Sequence, residues 1–326
     1  MLEQTFFQAI VALVGSLVAA SCAWWYFRRV RLDRPPIGTF NGRDIAVLLV
    51  FIVVLPMLYL ILPSLMLTGL LILTFTSALY IALRPLLALR YLWTFIAVLL
   101  ISNIIIAQTL LGTRAGWQVY WLLTSIAVVI AAVGVSNLYV QGGLRLKTIA
   151  RFALALAVYD AFFSLVVPLT PALADAFEGH PLDPAIGFVM GTYSANIGLG
   201  DVFVYCLFTV AAYKGFGKRA AIAALVVVGV FGAVLPAFAP LIITAFVRGQ
   251  LGIVVPAQAI FGPAAFVTYL VLARQAKERS MADWYALQAT LGRKPLRAAR
   301  RVRTAPAPAP APALAMAAAA EPRAAD

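Results

Sequence analysis

Charged side chains are scarce in this chain, and their scarcity excludes a soluble globular protein. Only 11% of the 326 residues are charged, whereas 63% are hydrophobic. Soluble domains are about 25% charged, so lipid must be the solvent for most of this chain. The net charge of +13 does not indicate nucleic-acid binding, because Lys and Arg lie between apolar runs and in the C-terminal tail. We interpret them as topology signals and contacts with anionic lipid headgroups.

Cysteine and histidine are nearly absent, which argues against a disulfide-stabilised protein and against a zinc-binding protein. Cys22 and Cys206 lie inside apolar segments without metal-ligand spacing, so neither a disulfide framework nor a zinc site is expected. We expect no metal and no other cofactor. The only histidine, His180, falls in a predicted external loop from 170 to 186, where a lone histidine is typically solvated rather than catalytic. The N-terminus has no basic segment before its apolar run, which favours an uncleaved first span over a signal peptide.

Long apolar runs are what the chain does contain. A bilayer-crossing helix needs about 20 mainly apolar residues, and segmentation on that length predicts nine spans. The run from Ile45 to Leu83 is too long for one crossing and is broken at Pro63-Ser64, so we interpret it as two spans. The other seven are Thr5 to Phe27, Tyr91 to Gly112, Trp117 to Val140, Thr148 to Val167, Gly187 to Tyr213, Ala220 to Phe246 and Gly252 to Ala273. The prediction is an all-α polytopic membrane protein with nine transmembrane helices.

The distribution of Lys and Arg predicts the orientation of these spans. With the N-terminus outside, all of the 25 basic residues except Arg114 and Arg248 fall on the inner side. Cytoplasmic loops carry an excess of basic residues, so this orientation is favoured and places the C-terminus in the cytoplasm.

Four regions follow from the spans and the composition. Residues 1–140 form a scaffold of five spans, and residues 141–273 form a four-span region that holds the candidate site. Residues 274–303 are a basic cytoplasmic segment, in which Met281 to Arg303 is predicted to form a helix on the inner leaflet. Residues 304–326 are an Ala/Pro-rich low-complexity tail, typical of disorder.

Asp160 and Asp201 are the only charged side chains predicted to lie deep within a span. A carboxylate at the bilayer centre costs roughly 2.5 to 3.5 kcal/mol on insertion scales, so such a residue indicates function; a neutral, hydrogen-bonded packing Asp is the alternative. Asp160 lies 13 residues after Lys147 (160 − 147), and Asp201 lies 13 residues before Lys214 (214 − 201). At 1.5 Å per residue, both lie roughly 20 Å from their basic anchors. Adjacent antiparallel helices would therefore bring the two carboxylates face to face.

Two carboxylates at that separation favour a specific chemistry. They cannot both ionise cheaply and tend to share one proton. The ionised member can then take a proton from water, while the protonated member polarises a carbonyl. Gly198 and Gly200, just before Asp201, would let another backbone approach closely, or would only permit tight helix packing.

The motifs around these aspartates resemble those of the presenilin and signal peptide peptidase family. Tyr159-Asp160 in the sixth span, Gly198-Leu199-Gly200-Asp201 in the seventh and a Pro-Ala pair at the start of the ninth match, in order and spacing, that family's YD, GxGD and PAL motifs. Two of these motifs centred in consecutive spans are far more specific than either alone. The resemblance covers about Thr148 to Ala273, and the first five spans match only in number and hydropathy.

The resemblance implies roles for the matched residues. Asp160 and Asp201 would be the catalytic pair of an intramembrane aspartyl protease, with Tyr159 beside the pocket. The substrate-binding wall would comprise Gly198, Leu199, Gly200, Pro256, Ala257 and Gln258. Glutamine at 258 departs from the leucine usual in the family's third motif. Pro236-Ala237-Phe238 is a rival placement of that motif, but it lies in the eighth span.

The resemblance also implies substrates, partners and a location. The substrates would be single-span membrane proteins or signal-peptide remnants within the lipid bilayer, held as unwound strands, with no nucleic acid involved. The N-outside orientation matches the signal peptide peptidase branch, whereas the sequence around the motifs looks somewhat presenilin-like. Short loops suggest that accessory subunits are not required. We expect an integral protein of the microbial cytoplasmic membrane.

Two other functional classes remain open from the sequence. A proton- or cation-coupled transporter or channel could use the same buried aspartates, although the chain shows no internal repeat of the kind many transporters have. Pro240 and Pro263 interrupt spans, as such proteins often require. A membrane scaffold acting through its basic tail would not need the intact pair of acids.

Overall fold

A computed structural model of the chain describes residues 2–32, 40, 42–167, 169–246 and 255–290. The described part is mainly helical and includes one β-hairpin. Its α-helices are α1 (Leu2–Arg29), α2 (Gly42–Ile61), α3 (Ser64–Leu83), α4 (Leu89–Thr109), α5 (Arg114–Gln141), α6 (Leu146–Leu165), α7 (Leu169–Phe177), α8 (Leu199–Phe216), α9 (Lys218–Val227), α10 (Leu235–Phe246), α11 (Ala257–Gln275) and α12 (Met281–Thr290). The hairpin is β1 (Ala185–Met190) and β2 (Tyr193–Gly198), and a π-helix (Val228–Val234) joins α9 to α10.

The fold is that of a polytopic membrane protein. Among the described residues, seven helices are long and apolar enough to cross a membrane, with the α9–α10 unit contributing a single span, Lys218–Ile243. The other six are α1, α3, α4, α5, α8 and α11. The apolar part of α2, Ala46–Ile61, is shorter, and α6 is not among the seven. The membrane class predicted from the sequence is thus confirmed.

The predicted span from Gly187 to Tyr213 is wrong from Gly187 to Gly198, nearly half of its length. Residues 185–198 form the antiparallel hairpin, with Ala185 opposite Gly198 and Met190 opposite Tyr193, and the helix begins only at Leu199. Gly191 turns the chain with φ 68°, the left-handed conformation that tight hairpin turns need. Glycine weakens a helix interior by about 1 kcal/mol, so a segment with glycines at 187, 191 and 198 forms strands more readily than its hydropathy suggests.

Helix α8 lies at the centre of the described bundle. Every residue from 204 to 215 is buried, and α1, α5 and α6 pack around it. The apolar residues that are left exposed lie on the outer helices, for example Val14 on α1 and Val98 on α4. Asp201 lies in the first turn of α8, just before this buried run, and is half-buried.

Two residues on the predicted cytoplasmic side are packed within the protein. Lys214, taken from the sequence as an exposed basic anchor, is fully buried within α8, and its Nζ donates a hydrogen bond to the Leu144 carbonyl. Helix α12 begins at Met281, and Trp284 packs between Phe27 and Tyr213. The rest of the predicted segment, from 291, lies outside the described residues.

Candidate active site

Asp160 lies in the last third of α6, one residue after Tyr159 and five residues before the helix ends. Val158, two positions earlier, is 69% exposed and Phe162 is 47% exposed, so one face of α6 is turned outward. Asp160 is only half-buried at the edge of the opposite, packed face. Its carboxylate therefore points towards the neighbouring helices without being sealed off.

Asp201 lies in the first turn of α8, three residues after β2 ends. The strand runs straight into the helix, with Gly198 as the N-cap residue in an extended conformation. The Leu199 N–H donates a 2.7 Å hydrogen bond to the Pro184 carbonyl, which ties the start of α8 to the start of the hairpin. The hairpin and α8 therefore hold Asp201 together.

Gln258 brings the two aspartates together. Its backbone N–H donates to Asp160 Oδ2 at 3.3 Å, and its side-chain Nε2 donates to Asp201 Oδ1 at 2.7 Å. The residue is 5% exposed and lies in the first turn of α11. One residue from a third helix thus contacts both carboxylates, which places them within reach of a common reactant.

Both carboxylates also lie at the positive ends of helices. Asp201 is within the first turn of α8, and Asp160 accepts a hydrogen bond from a backbone N–H in the first turn of α11. The first N–H groups of a helix lack partners within it, and the aligned peptide dipoles there favour negative charge. The fold therefore supplies electrostatic support for acidic side chains that would otherwise be costly in this location.

The Gln258 amide has one unsatisfied atom. Within the described part of the chain, Gln258 Oε1 is buried and accepts no hydrogen bond, while Nε2 is engaged with Asp201. A buried acceptor without a partner costs about 1–3 kcal/mol. One buried acceptor beside the two carboxylates is therefore left unpaired.

The sequence did not predict how α11 is positioned. A Cβ atom built on Gly262 would lie 2.4 Å from the Ala153 carbonyl oxygen and 2.8 Å from Ala157 Cβ. Gly262 is one turn after Gln258, so the glycine lets α11 touch the backbone of α6 on the face that carries Gln258. The only signal in the sequence was the Gly262-Pro263 pair inside an apolar span.

Tyr205 forms a second support that the sequence did not indicate. It lies one turn after Asp201 and is fully buried, and its hydroxyl donates a 2.7 Å hydrogen bond to the Gly232 carbonyl in the π-helix. Its ring packs edge-on against Phe261 of α11, with centroids 4.6 Å apart. Tyr205 thereby connects α8 to both the π-helix and the helix that carries Gln258.

The remaining predicted site residues fall into three places. Tyr159 points towards α2, where its hydroxyl donates to the Ile52 carbonyl at 3.1 Å. Gly198, Leu199 and Gly200 line the junction of strand and helix, and Gly200 is exposed, with no atom within 4 Å of a Cβ built on it. Pro256 is the N-cap of α11 and Ala257 its first residue, so both lie directly beside Gln258.

The outer edge of β2 is covered by side chains of α1. Gln4 Nε2 donates to the Ser194 carbonyl at 2.7 Å, and Gln8 Nε2 donates to the Asn196 carbonyl at 2.8 Å. Residues four apart on a helix are separated by about 6 Å along its axis, which is close to the separation of residues two apart on a strand. Side-chain amides thus occupy the positions where another strand would pair.

The segment between α7 and β1 carries another buried acidic group. Asp183 is 4% exposed, and burial, with a smaller effect from Glu178, raises the pKa of its carboxyl to about 8. His180 is not simply solvated as expected: it is half-buried, with Nε2 3.3 Å from the Ser64 hydroxyl. In the described residues, no three His, Cys, Asp or Glu side chains gather closely enough to hold a metal ion.

Comparison with known proteins leaves the site to be interpreted from its own geometry. The chain matches no protein-family model, and no curated protein is significantly similar to it. The fold and the site define a membrane-embedded, mainly helical protein with two acidic side chains bridged by a buried glutamine.

Proposed function

We propose that this protein is an intramembrane aspartyl protease that uses Asp160 and Asp201 as its catalytic pair. The observation that carries the proposal is the double contact of Gln258, whose backbone and side-chain N–H groups each reach one of the two carboxylates. Two aspartates held by one residue can share a proton, which is the state required to activate water against a peptide carbonyl.

The reaction uses both carboxyl groups in turn. The ionised carboxylate removes a proton from a water molecule as its oxygen adds to the scissile carbonyl, while the protonated carboxyl gives its proton to the carbonyl oxygen. In the resulting gem-diol, one hydroxyl gives its proton to the carboxylate that had protonated the carbonyl oxygen, the C–N bond breaks, and the carboxyl that took the water proton gives it to the nitrogen. One water is consumed, and an acid and an amine are released.

The hairpin supports a substrate held as an extended strand. β2 leads within three residues to Asp201, so a strand added to its outer edge would carry its backbone past the carboxylates. The Ser194 and Asn196 carbonyls on that edge already accept hydrogen bonds, from Gln4 and Gln8. A substrate backbone would replace these two side chains. Single-span membrane proteins and signal-peptide remnants are the substrate class.

The finer topology belongs to the same proposal. Nine spans require α2 and α6 to cross as well, with the N-terminus outside and the C-terminus in the microbial cytoplasm. In support, Lys and Arg fall almost entirely on one side of the predicted spans. We propose that the enzyme works without accessory subunits. A cytoplasm-restricted reporter fused after Arg303 should be active, and a silent fusion would contradict this orientation.

Cleavage of single-span substrates by the purified protein in liposomes tests the proposal. Wild type should release two fragments, and Asp160→Asn and Asp201→Asn should each reduce the rate to background. Glu178→Gln, which removes one acidic charge outside the pair, should retain the wild-type rate. Absence of turnover in wild type, or persistence of turnover in either aspartate variant, would contradict proteolysis. Proton flux in the same liposomes that Asp201→Asn abolishes would support the transporter instead.

A further inference from the structure

We propose that Glu278 and Arg279, which we call the terminal clamp, are positioning residues that hold α6 and α8 in axial register and so keep Asp160 level with Asp201. The consequence for catalysis rests on the proposed protease function, whereas the effect on register does not.

Glu278 binds the start of the helix that carries Asp160. Its Oε1 accepts a 2.5 Å hydrogen bond from the Leu146 N–H, and its Oε2 accepts one of 3.3 Å from the Lys147 N–H. The N-cap residue of α6 is Arg145, whose side chain makes no capping hydrogen bond. Glu278 therefore supplies, from far along the chain, the acceptor that a helix start requires.

Arg279 binds the end of the helix that carries Asp201. Its backbone N–H and its Nε both donate to the Gly215 carbonyl at 3.1 Å. A Cβ atom on Gly215 would lie 3.0 Å from Glu278 Cγ, and one on Gly217 would lie 2.8 Å from an Arg279 guanidinium nitrogen. Glycine at both positions is what allows the clamp to approach α8 closely.

The charges of the clamp match the ends that they bind. A helix is positive at its start and negative at its end, so a carboxylate suits the start of α6 and a guanidinium suits the end of α8. Glu278 and Arg279 are consecutive in the chain. The start of α6 and the end of α8 are therefore bound by adjacent residues and cannot move far apart. The buried Lys214 adds a second tie, since it donates to the Leu144 carbonyl just before α6 begins.

A group of aromatic contacts anchors the clamp in place. Trp284 of α12 lies 5.3 Å from the Phe27 ring and 5.0 Å from the Tyr213 ring, and Arg31 lies 4.0 Å above Tyr285. The segment after α11 is thereby held against α1 and α8 immediately beyond Arg279.

Register at this end determines the relative depth of the two aspartates. Asp160 lies 13 residues beyond Lys147 (160 − 147), and Asp201 lies 14 residues before Gly215 (215 − 201). These lengths are about 20 Å and about 21 Å of helix, so ends held level keep the carboxylates level. A slip of one turn would displace one carboxylate by about 5.4 Å, beyond the reach of a reactant bound to the other.

Cross-linking between the two aspartate positions measures register without requiring activity. In full-length protein with Cys22→Ala and Cys206→Ala, Asp160→Cys and Asp201→Cys should be joined efficiently by a short bifunctional thiol reagent. Adding Glu278→Ala with Arg279→Ala should reduce the yield at least threefold, whereas Lys277→Ala, an exposed neighbour, should leave it unchanged. If the double change fails to fold, Glu278→Ala alone should reduce the yield about twofold. An unchanged yield in the folded clamp variant overturns the proposal.

Kinetics then test the consequence for catalysis. In protein with both aspartates intact, the clamp variant should lose about tenfold or more in kcat with KM retained, since small displacements of reacting groups cost rate rather than binding. Lower cross-linking with unchanged kcat would overturn the catalytic role. If the wild-type protein shows no proteolysis, the proposed function is contradicted. The cross-linking yield would still show whether the terminal clamp holds α6 and α8 in register.

Discussion

The Gln258 side-chain amide donates a 2.7 Å hydrogen bond to the Asp201 carboxylate. The residue at this position therefore takes part in the site through its polar group. In the resembled family the corresponding residue is leucine, which can pack but cannot donate.

Replacing Gln258 by leucine should lower kcat/KM by at least about tenfold. A hydrogen bond to a charged group is worth about 1.5–3 kcal/mol, and 1.4 kcal/mol corresponds to a factor of ten. Gln275→Leu, the same change at the exposed end of α11, should have no effect. Steady-state cleavage in liposomes measures both variants, and wild-type kinetics in Gln258→Leu would show that the residue only packs.

Gly262→Val should destabilise the protein by about 1–3 kcal/mol or more, because overpacking would force α11 away from the α6 backbone. The Cβ would otherwise lie 2.4 Å from the Ala153 carbonyl oxygen. Gly69→Ala, on α3 with no atom within 4 Å of a Cβ built on it, should be neutral or slightly stabilising. Thermal unfolding in detergent distinguishes the two, and equal midpoints would contradict the close approach.

Gln4→Leu with Gln8→Leu should lower KM several-fold while leaving kcat unchanged. The two glutamines occupy carbonyls on the edge of β2 that a substrate strand would use, so their removal eliminates a competitor. Gln118→Leu, at an exposed position on α5, is the matched control. A raised KM would instead mean that these hydrogen bonds hold the hairpin in its binding conformation.

Asp183 should contribute a fall in stability as pH rises from about 4 to about 8. Its pKa is about 8 in the folded protein, whereas an unperturbed Asp has a pKa near 3.9. Between these values the folded state retains a proton that the unfolded state has lost, so raising the pH favours unfolding. Asp183→Asn should flatten this part of the stability profile. Thermal midpoints measured across this range test it, and an equally steep profile in the variant would contradict the prediction.

The membrane class was predictable because hydropathy and span length depend only on local composition. The equal depth of Asp160 and Asp201 was predicted by converting residue counts along two helices to distance, and it stays a prediction. The assignment of these aspartates as a catalytic pair stays a prediction until cleavage is measured.

The hairpin and the bridge by Gln258 were not predictable, for different reasons. The run from Gly187 is apolar enough for a helix, and Gly198 was interpreted as a site of close backbone approach or tight packing rather than as the end of a strand. The contact of Gln258 with both carboxylates depends on how α11 packs against α6. That packing is determined by the close approach of Gly262, one turn after Gln258, to the Ala153 carbonyl. Such long-range packing leaves no periodic signal in a single sequence.

Lys214 was misjudged because its position near the end of a span suggested a side chain that reaches water. The structure instead directs it to a backbone carbonyl inside the protein. Burial of a cation in this way depends on a partner that lies 70 residues away.

The π-helix between α9 and α10 has a consequence for how insertions and deletions are tolerated. In an α-helix each residue advances the chain by about 100° around the axis, so one residue added or removed rotates everything beyond it by that angle. The wide turns from Val228 to Val234 set the rotation of α10 relative to α9 and expose the Gly232 carbonyl to Tyr205. The wide turns of a π-helix hold about one residue more than α-helical turns of the same rotation, so deleting one residue here would restore α-helical winding with little net rotation of α10, whereas the same deletion within α9 would rotate everything beyond it by about 100°.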